Sequence, residues 1–204
     1  MIDLLRFKKY CETRNWSFDN YCSEFTFQFR LCRYLETVNE KALIELESSI
    51  KRYNYEKLTK KEIDIDILSS TTQTRTAIEL KFIRDQGSYN IGMYKFCEDI
   101  RFLEELTDRG FSNAYSIIFT TITELYTKPN ITLRPKNPEN TYLYNCFRND
   151  FELKGELKIK TGQMNESLTL RGEYKLIWVD FSANIKACIV EIKKPATNRV
   201  QAII

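Results

Sequence analysis

The chain has no histidine among its 204 residues. That absence excludes Ser-His-Asp and Cys-His hydrolases, metallohydrolases built on imidazole, and nucleases that use a histidine base. Hydrolytic chemistry here has to run on carboxylates, lysine and a hard metal ion. Glycine is scarce, at six residues, and no G-x-x-x-x-G-K-[ST] or G-x-G-x-x-G loop occurs, so P-loop and Rossmann nucleotide-binding readings are poor. There is no long apolar run and no export signal, which predicts a soluble, cytoplasmic protein with no membrane partner. The six cysteines (Cys11, Cys22, Cys32, Cys97, Cys146 and Cys188) include no C-x-x-C pair, so a zinc knuckle is not expected. Scattered cysteines without an export signal read as reduced thiols.

What is present suits a sizeable core: 43% of residues are hydrophobic and 29% charged. The expectation is a single domain over 1–204, with a core at about 20–125 and a β-rich extension at about 150–204. The net charge of +3 permits a nucleic-acid partner without arguing for one.

Residues 1–22 are mixed and aromatic. Ser23 is a candidate cap for a helix over Glu24–Glu36. Alternation of Phe25, Phe27, Phe29 and Leu31 also suits a strand, but the apolar pattern continues through Cys32, Tyr34 and Leu35, which favours helix. Ala42–Leu46 reads as a short strand. Ile63–Leu68 and Thr76–Ile83 read as a hairpin joined by the polar turn 69–75. Met93, Phe96, Cys97, Ile100, Leu103 and Leu106 keep helical spacing up to Gly110, and Asp99 and Arg101 on that helix read as structural. Ala114–Thr121 reads as a buried strand, 127–150 as a long proline-bearing loop, and Phe151–Lys160, Leu168–Phe181 and Lys186–Lys193 as further strands. The order predicts an α/β or α+β domain.

The hairpin carries the chemistry. In regular strands Glu62, Asp64 and Asp66 share one face, with Ile63, Ile65 and Ile67 opposite; Glu79 and Lys81 share a face of the partner strand. Such groups are costly to bury unless they pair or bind a cation. Clustered carboxylates suit Mg²⁺, and a neighbouring lysine can orient or deprotonate a water and steady charge on a phosphate. The pattern Glu-x-Lys alone says little, since it recurs at Glu152/Lys154, Glu156/Lys158 and Glu173/Lys175, where solvated strand faces are expected. A stronger rival is Asp180 with Glu191 and Lys193. It is disfavoured because too little chain follows Lys193 to wall its sheet.

Asp64 or Asp66, then Glu79-Leu80-Lys81, with Glu24 on a preceding helix and a helix and strand following, resembles the PD-(D/E)xK nuclease superfamily. The segments "SEFTFQFRLCRYLE", "EIDIDI", "TAIELKF", "YKFCEDIRFLEEL" and "YKLIWVDFS" are similar to an uncharacterised microbial subgroup of it. The resemblance implies a restriction-endonuclease-like mixed sheet flanked by helices. It implies metal ligation by Asp64 and Glu79, a catalytic Lys81, and Glu24 contacting the metal through water. Gln28, one turn on, would support Lys81 or a phosphate. Asp64 fits the "IDI" pattern better and Asp66 gives an equally reasonable spacing, so both stay candidate ligands. The proline of the family motif is replaced by Ile63.

The expected function is therefore an Mg²⁺- or Mn²⁺-dependent endonuclease of DNA in restriction or mobile-element defence. Analogy with nucleases that cut both strands adds a homodimer. The alternatives are an inactive nuclease-like fold serving as a DNA-binding or protein-interaction module, and an assembly protein with charged sheet edges. The basic stretch Lys51–Lys61, with Tyr53 and Tyr55, reads as a solvated loop or a nucleic-acid contact, as does the tail with Lys193, Lys194 and Arg199. Trp178 reads as core.

Overall fold

The computed structural model describes residues 2–18, 22–55, 57–84, 89–127, 152–161 and 164–193. The expected loop at 127–150, Cys146, Lys194 and Arg199 lie almost wholly or wholly outside that set. Helix α1 spans Leu4–Thr13 and α2 spans Glu24–Val38. Strands follow at β1 (Ala42–Ser49), β2 (Glu62–Ser69) and β3 (Arg75–Ile83). Then come α3 (Tyr89–Asp108), β4 (Asn113–Thr120), β5 (Glu152–Thr161), β6 (Met164–Lys175), β7 (Val179–Ser182) and β8 (Ile185–Ile192).

Six strands form one mixed sheet in the order β1-β2-β3-β4-β8-β7. Only β3 and β4 run parallel, because α3 carries the chain between them; the other neighbours are antiparallel. Strands β5 and β6 form a separate two-stranded sheet. The stretch expected as one strand over Leu168–Phe181 is thus two strands in different sheets. The last two strands belong to the main sheet rather than to an extension.

The sheet is covered on both faces. On one side α1 and α2 pack Leu4, Phe7, Phe27 and Leu31 onto Ile65, Ile78, Leu80, Ile117 and Phe119. Phe27 stacks on Phe119 with ring centroids 4.2 Å apart, a contact worth about 0.5–1.5 kcal/mol beyond its buried area. On the other side α3 packs Phe96, Ile100 and Leu103 against Ala77, Ala114, Ile118 and Val190. The β5–β6 hairpin adds Leu153, Leu157, Leu168 and Leu170 to this second layer.

Local signals set the helix ends. The Ser23 hydroxyl accepts the Thr26 N–H at 3.1 Å, and the Thr26 hydroxyl accepts the Ser23 N–H at 3.3 Å, a reciprocal cap. Asp3 caps α1 through the N–H groups of Leu5 and Arg6. Gly110 ends α3 with φ at 109°, a conformation other residues resist. Near the start of α3, a Cβ on Gly92 would lie 2.9 Å from Ile83, so glycine lets the helix lie close on β3.

Cys11, Cys22, Cys32, Cys97 and Cys188 are buried and outside any disulfide. Burial pushes the thiols of Cys11 and Cys188 up to about 12. Trp178 is half-buried against the α3 layer, its ring 5.9 Å from that of Tyr126. Among the described residues, no helix is long and apolar enough to cross a membrane.

The hairpin is fixed to α3 by one buried carboxylate. Glu104, 3% exposed, accepts the N–H groups of Arg171 and Gly172 and the Tyr174 hydroxyl, the last two at 2.7 Å. Glu104→Ala leaves these donors without an acceptor. It should lower unfolding free energy by about 2–5 kcal/mol in urea titration, with Glu104→Gln retaining part of it. A loss below 0.5 kcal/mol would show that the hairpin does not depend on this anchor.

Candidate active site

The site lies where β2 leaves β3. Their ladder runs from Leu68 opposite Arg75 to Ile65 opposite Ile78 and goes no further. Beyond it β3 continues to Ile83 without a β2 partner, paired only with β4. The N–H groups of Leu80 and Phe82 therefore face a gap, and an unmet buried donor is expensive. Two carboxylates fill it. Asp64 Oδ2 accepts the Leu80 N–H at 2.7 Å, and Glu24 Oε2 accepts the Phe82 N–H at 2.8 Å. In return, Glu79 Oε1 accepts the Asp64 N–H at 3.2 Å. Each strand caps the other's frayed backbone with a side chain.

The break reorders β2. Ile65 and Ile67 pack into the α1/α2 layer, but Ile63 packs into the α3 layer, so the expected common face of the three isoleucines does not hold. Strand β1 breaks at the same level. Its register with β2 pairs Leu46 with Ile65 and Ser48 with Ile63, and Glu47 between them adopts a left-handed backbone at φ 50°.

Asp64 and Asp66 consequently part company. Asp64 is in the gap beside Glu79. Asp66 is buried elsewhere, held by the hydroxyls of Tyr53 and Ser48. These hydroxyls engage Oδ2 alone; Oδ1 of Asp66 is buried with no hydrogen-bond partner, and no hydrogen bond or ion pair joins Asp66 to Glu79 among the described residues. Gln28 is buried on α2, on the side of Glu47, whose pKa it acts to lower.

Glu24, Asp64, Glu79 and Lys81 do converge, and two residues the sequence reading missed join them. Asp99 of α3 is 3% exposed and faces β3. Lys60, from the connection before β2, pairs with Glu79 Oε2 and with Asp99 Oδ1 at 3.0 Å. Lys81 Nζ lies 3.1 Å from Glu24 Oε1 and 3.8 Å from Asp99 Oδ2. Arg101 pairs with Glu105 one turn on. The tyrosines of the basic stretch turn inward. Tyr53 bonds Asp66, and the Tyr55 hydroxyl donates to the Arg109 carbonyl.

The rivals do not assemble. Asp180 pairs with Lys186, and Glu191 with the exposed Lys193. Strand β8 lies inside the sheet with chain on both faces, so the expected reason for rejecting this group fails and its geometry rejects it instead. Asp180 sits opposite Lys186, and five residues of strand separate that point from Glu191 by roughly 16 Å. The pairs Glu152/Lys154, Glu156/Lys158 and Glu173/Lys175 are exposed on the hairpin.

Charge governs the chemistry. Four carboxylates (Glu24, Asp64, Glu79, Asp99) meet two ammonium groups (Lys60, Lys81), and Glu47 adds another negative charge at the rim. Glu79 is fully buried, and desolvation, then Asp64 and Asp99, raise its pKa well above the carboxylate range. Desolvation likewise pushes Asp99 up to about 6 against the pull of Lys60 and Lys81. For the lysines, burial acts to lower the pKa, but the surrounding carboxylates outweigh it and raise both. Lys60 and Lys81 therefore stay protonated. They donate hydrogen bonds and positive charge rather than accept protons.

Burial is the first cause of both raised carboxylates, and neighbouring carboxylates add to it. Asp99 Oδ2 is buried with no hydrogen-bond partner. Asp64 Oδ1 has no hydrogen bond among the described residues, its Oδ2 alone being engaged. Among the described residues, no three Asp, Glu or Cys side chains converge into a ready-made metal cage. The donor set nonetheless fits a hard cation such as Mg²⁺, which takes one or two carboxylates and keeps several waters.

The shifted acid gives a pH test. Asp99 is held above its unfolded value of 3.8, so the folded protein binds this proton more tightly. Its stabilising contribution is full below 3.8 and is lost as pH rises through about 6. In metal-free buffer, Asp99→Asn should gain stability relative to wild type between pH 4 and pH 8 in urea titrations. A difference that is flat or falls with pH would contradict the assignment.

Compared with known proteins, the chain matches no family model, no curated protein and no solved structure.

Proposed function

We propose that the protein is a divalent-metal-dependent nuclease of DNA with a restriction-endonuclease-like core. One observation carries this reading: Asp64, Glu79 and Lys81 meet where β2 separates from β3, with Glu24 reaching Lys81 from the start of α2. The order of elements supports it too, since a helix, a strand, the acidic hairpin, a second helix and a parallel strand follow one another. DNA as the substrate class, a defence setting and a homodimer come from the resemblance.

Asp64 and Glu79 would hold Mg²⁺ or Mn²⁺, with Asp99 beside them and Glu24 at one water's remove. When bound, the ion supplies Lewis-acid polarisation of a phosphate oxygen and a lowered pKa for a coordinated water. The protein's own groups do the rest. The Lys81 ammonium, steadied by Glu24 and Asp99, offers a donor to a non-bridging phosphate oxygen whose charge grows in the transition state. Hydrolysis adds water oxygen to phosphorus, breaks the P–O bond to one sugar and moves one proton from water to the leaving oxygen. Asp99, buried beside Lys60 and Lys81 with Oδ2 free of hydrogen bonds, is the carboxylate that would accept the proton of the attacking water.

The second reading, an inactive fold that binds DNA or protein, draws on a specific observation. Both Glu79 oxygens are already engaged, one by the Asp64 N–H and one by Lys60. The two readings differ in a plasmid-nicking assay with Mg²⁺ or Mn²⁺. The nuclease reading expects cleavage, and a loss of at least about 10²-fold in Lys81→Ala and Glu79→Ala, with folding checked by circular dichroism. Cleavage undiminished in both variants would remove this site from the chemistry. An intact fold with neither Mn²⁺ binding nor cleavage would favour the second reading.

A further inference from the structure

Lys60 is held in an unusual way. The residue before it is fixed to α3: Thr59 gives its N–H and its hydroxyl to the Glu105 carboxylate at 2.8 and 2.6 Å. The residue after it is fixed too, since the Lys61 carbonyl accepts the Ile50 N–H at 3.0 Å. The backbone at Lys60 is pinned on both sides, while its side chain remains 29% exposed. The ammonium can therefore leave the cluster for solvent by side-chain rotation alone.

Its present partners are the oxygens a metal would need. Glu79 Oε1 is committed to the Asp64 N–H, so ligation by Glu79 falls to Oε2, which Lys60 holds. Lys60 also holds Asp99 Oδ1, while the buried Asp99 Oδ2 has no hydrogen-bond partner and only Lys81 Nζ at 3.8 Å. A divalent ion and an ammonium competing for one carboxylate oxygen would also repel strongly at such separations.

Building on the metal site of the proposed function, we propose that Lys60 is the resident cation of the cluster and gives up its place on Glu79 when a divalent ion binds. Lys60 is then a positioning residue. It holds Glu79 and Asp99 in place and compensates their charge until the ion arrives.

The test uses Mn²⁺ and the full chain. By calorimetry, Lys60→Met should bind Mn²⁺ at least about tenfold more tightly than wild type, because the competitor is gone. In wild type, which needs no variant to fold, an amine-reactive reagent read by mass spectrometry should modify Lys60 several-fold faster once Mn²⁺ is added. Exposed Lys158 and Lys193 should be unaffected. Equal or weaker Mn²⁺ binding by Lys60→Met overturns the exchange, as does Lys60 labelling that Mn²⁺ leaves unchanged or slows. If wild type binds Mn²⁺ and Glu79→Ala does not, such a result sinks the exchange alone and the metal site stands. If neither wild type nor Lys60→Met binds Mn²⁺, the metal site and the exchange fall together. Binding by Lys60→Met alone supports the exchange in its strongest form.

Discussion

Everything at the site depends on two backbone N–H groups left over when β2 separates from β3. Leu80 and Phe82 face a gap in the sheet, and their donors need acceptors that no strand supplies. Asp64 and Glu24 provide them. A carboxylate bound to a backbone N–H is fixed in position, so this repair of the sheet also brings negative charge from α2 and β2 to Glu79 and Lys81 on β3. The same geometry explains why Asp64 and Asp66, two residues apart, have different fates. A regular strand would point both one way. The break turns Asp64 into the gap and leaves Asp66 to Tyr53 and Ser48.

The collected charge then constrains the chemistry. Carboxylates that crowd together out of water favour protons or cations, which is why Glu79 and Asp99 are raised. The same crowd keeps both lysines charged. A lysine in this setting is an electrostatic group that donates hydrogen bonds and positive charge. An apolar cluster of the same volume would be no less stable, since burial of ion pairs is weakly favourable at best.

Much of this was legible in the sequence. Ser23 announced the start of α2, the alternating acids and the polar turn announced the β2–β3 hairpin, and Glu79 with Lys81 fell on one face as the strand period requires. What was not legible depended on contacts between elements distant in the chain. Asp99 falls within the apolar helical run, three residues after Phe96 and four before Leu103, so it reads as structural; only the packing of α3 on β3 brings it to Lys81. Lys60 sat in a basic stretch that any solvated loop resembles. Glu47 gave no sign, because a left-handed residue in a strand is signalled by glycine or asparagine and glutamate is neither. Helix α1 was missed although Leu4, Phe7 and Cys11 keep helical spacing and Asp3 is a good cap; the aromatic mixture around them hid the period.

Helix α3 ties these parts together through three acidic residues with three separate tasks. Asp99 faces the cluster, Glu104 anchors the β5–β6 hairpin, and Glu105 fixes the segment that delivers Lys60. Asp99 and Glu105 stand six residues apart, about 9 Å along the axis. A helix is stiff over that span, so the hairpin, the Lys60 segment and the cluster share one frame. A shift of α3 against the sheet would move Asp99 and Lys60 together while leaving Asp64, Glu79 and Lys81 on their strands. The half of the cluster built on β2 and β3 is thus fixed by the sheet. The half built on α3 is set by the packing of Phe96, Ile100 and Leu103 on the sheet, and Glu104 ties the hairpin to that same helix.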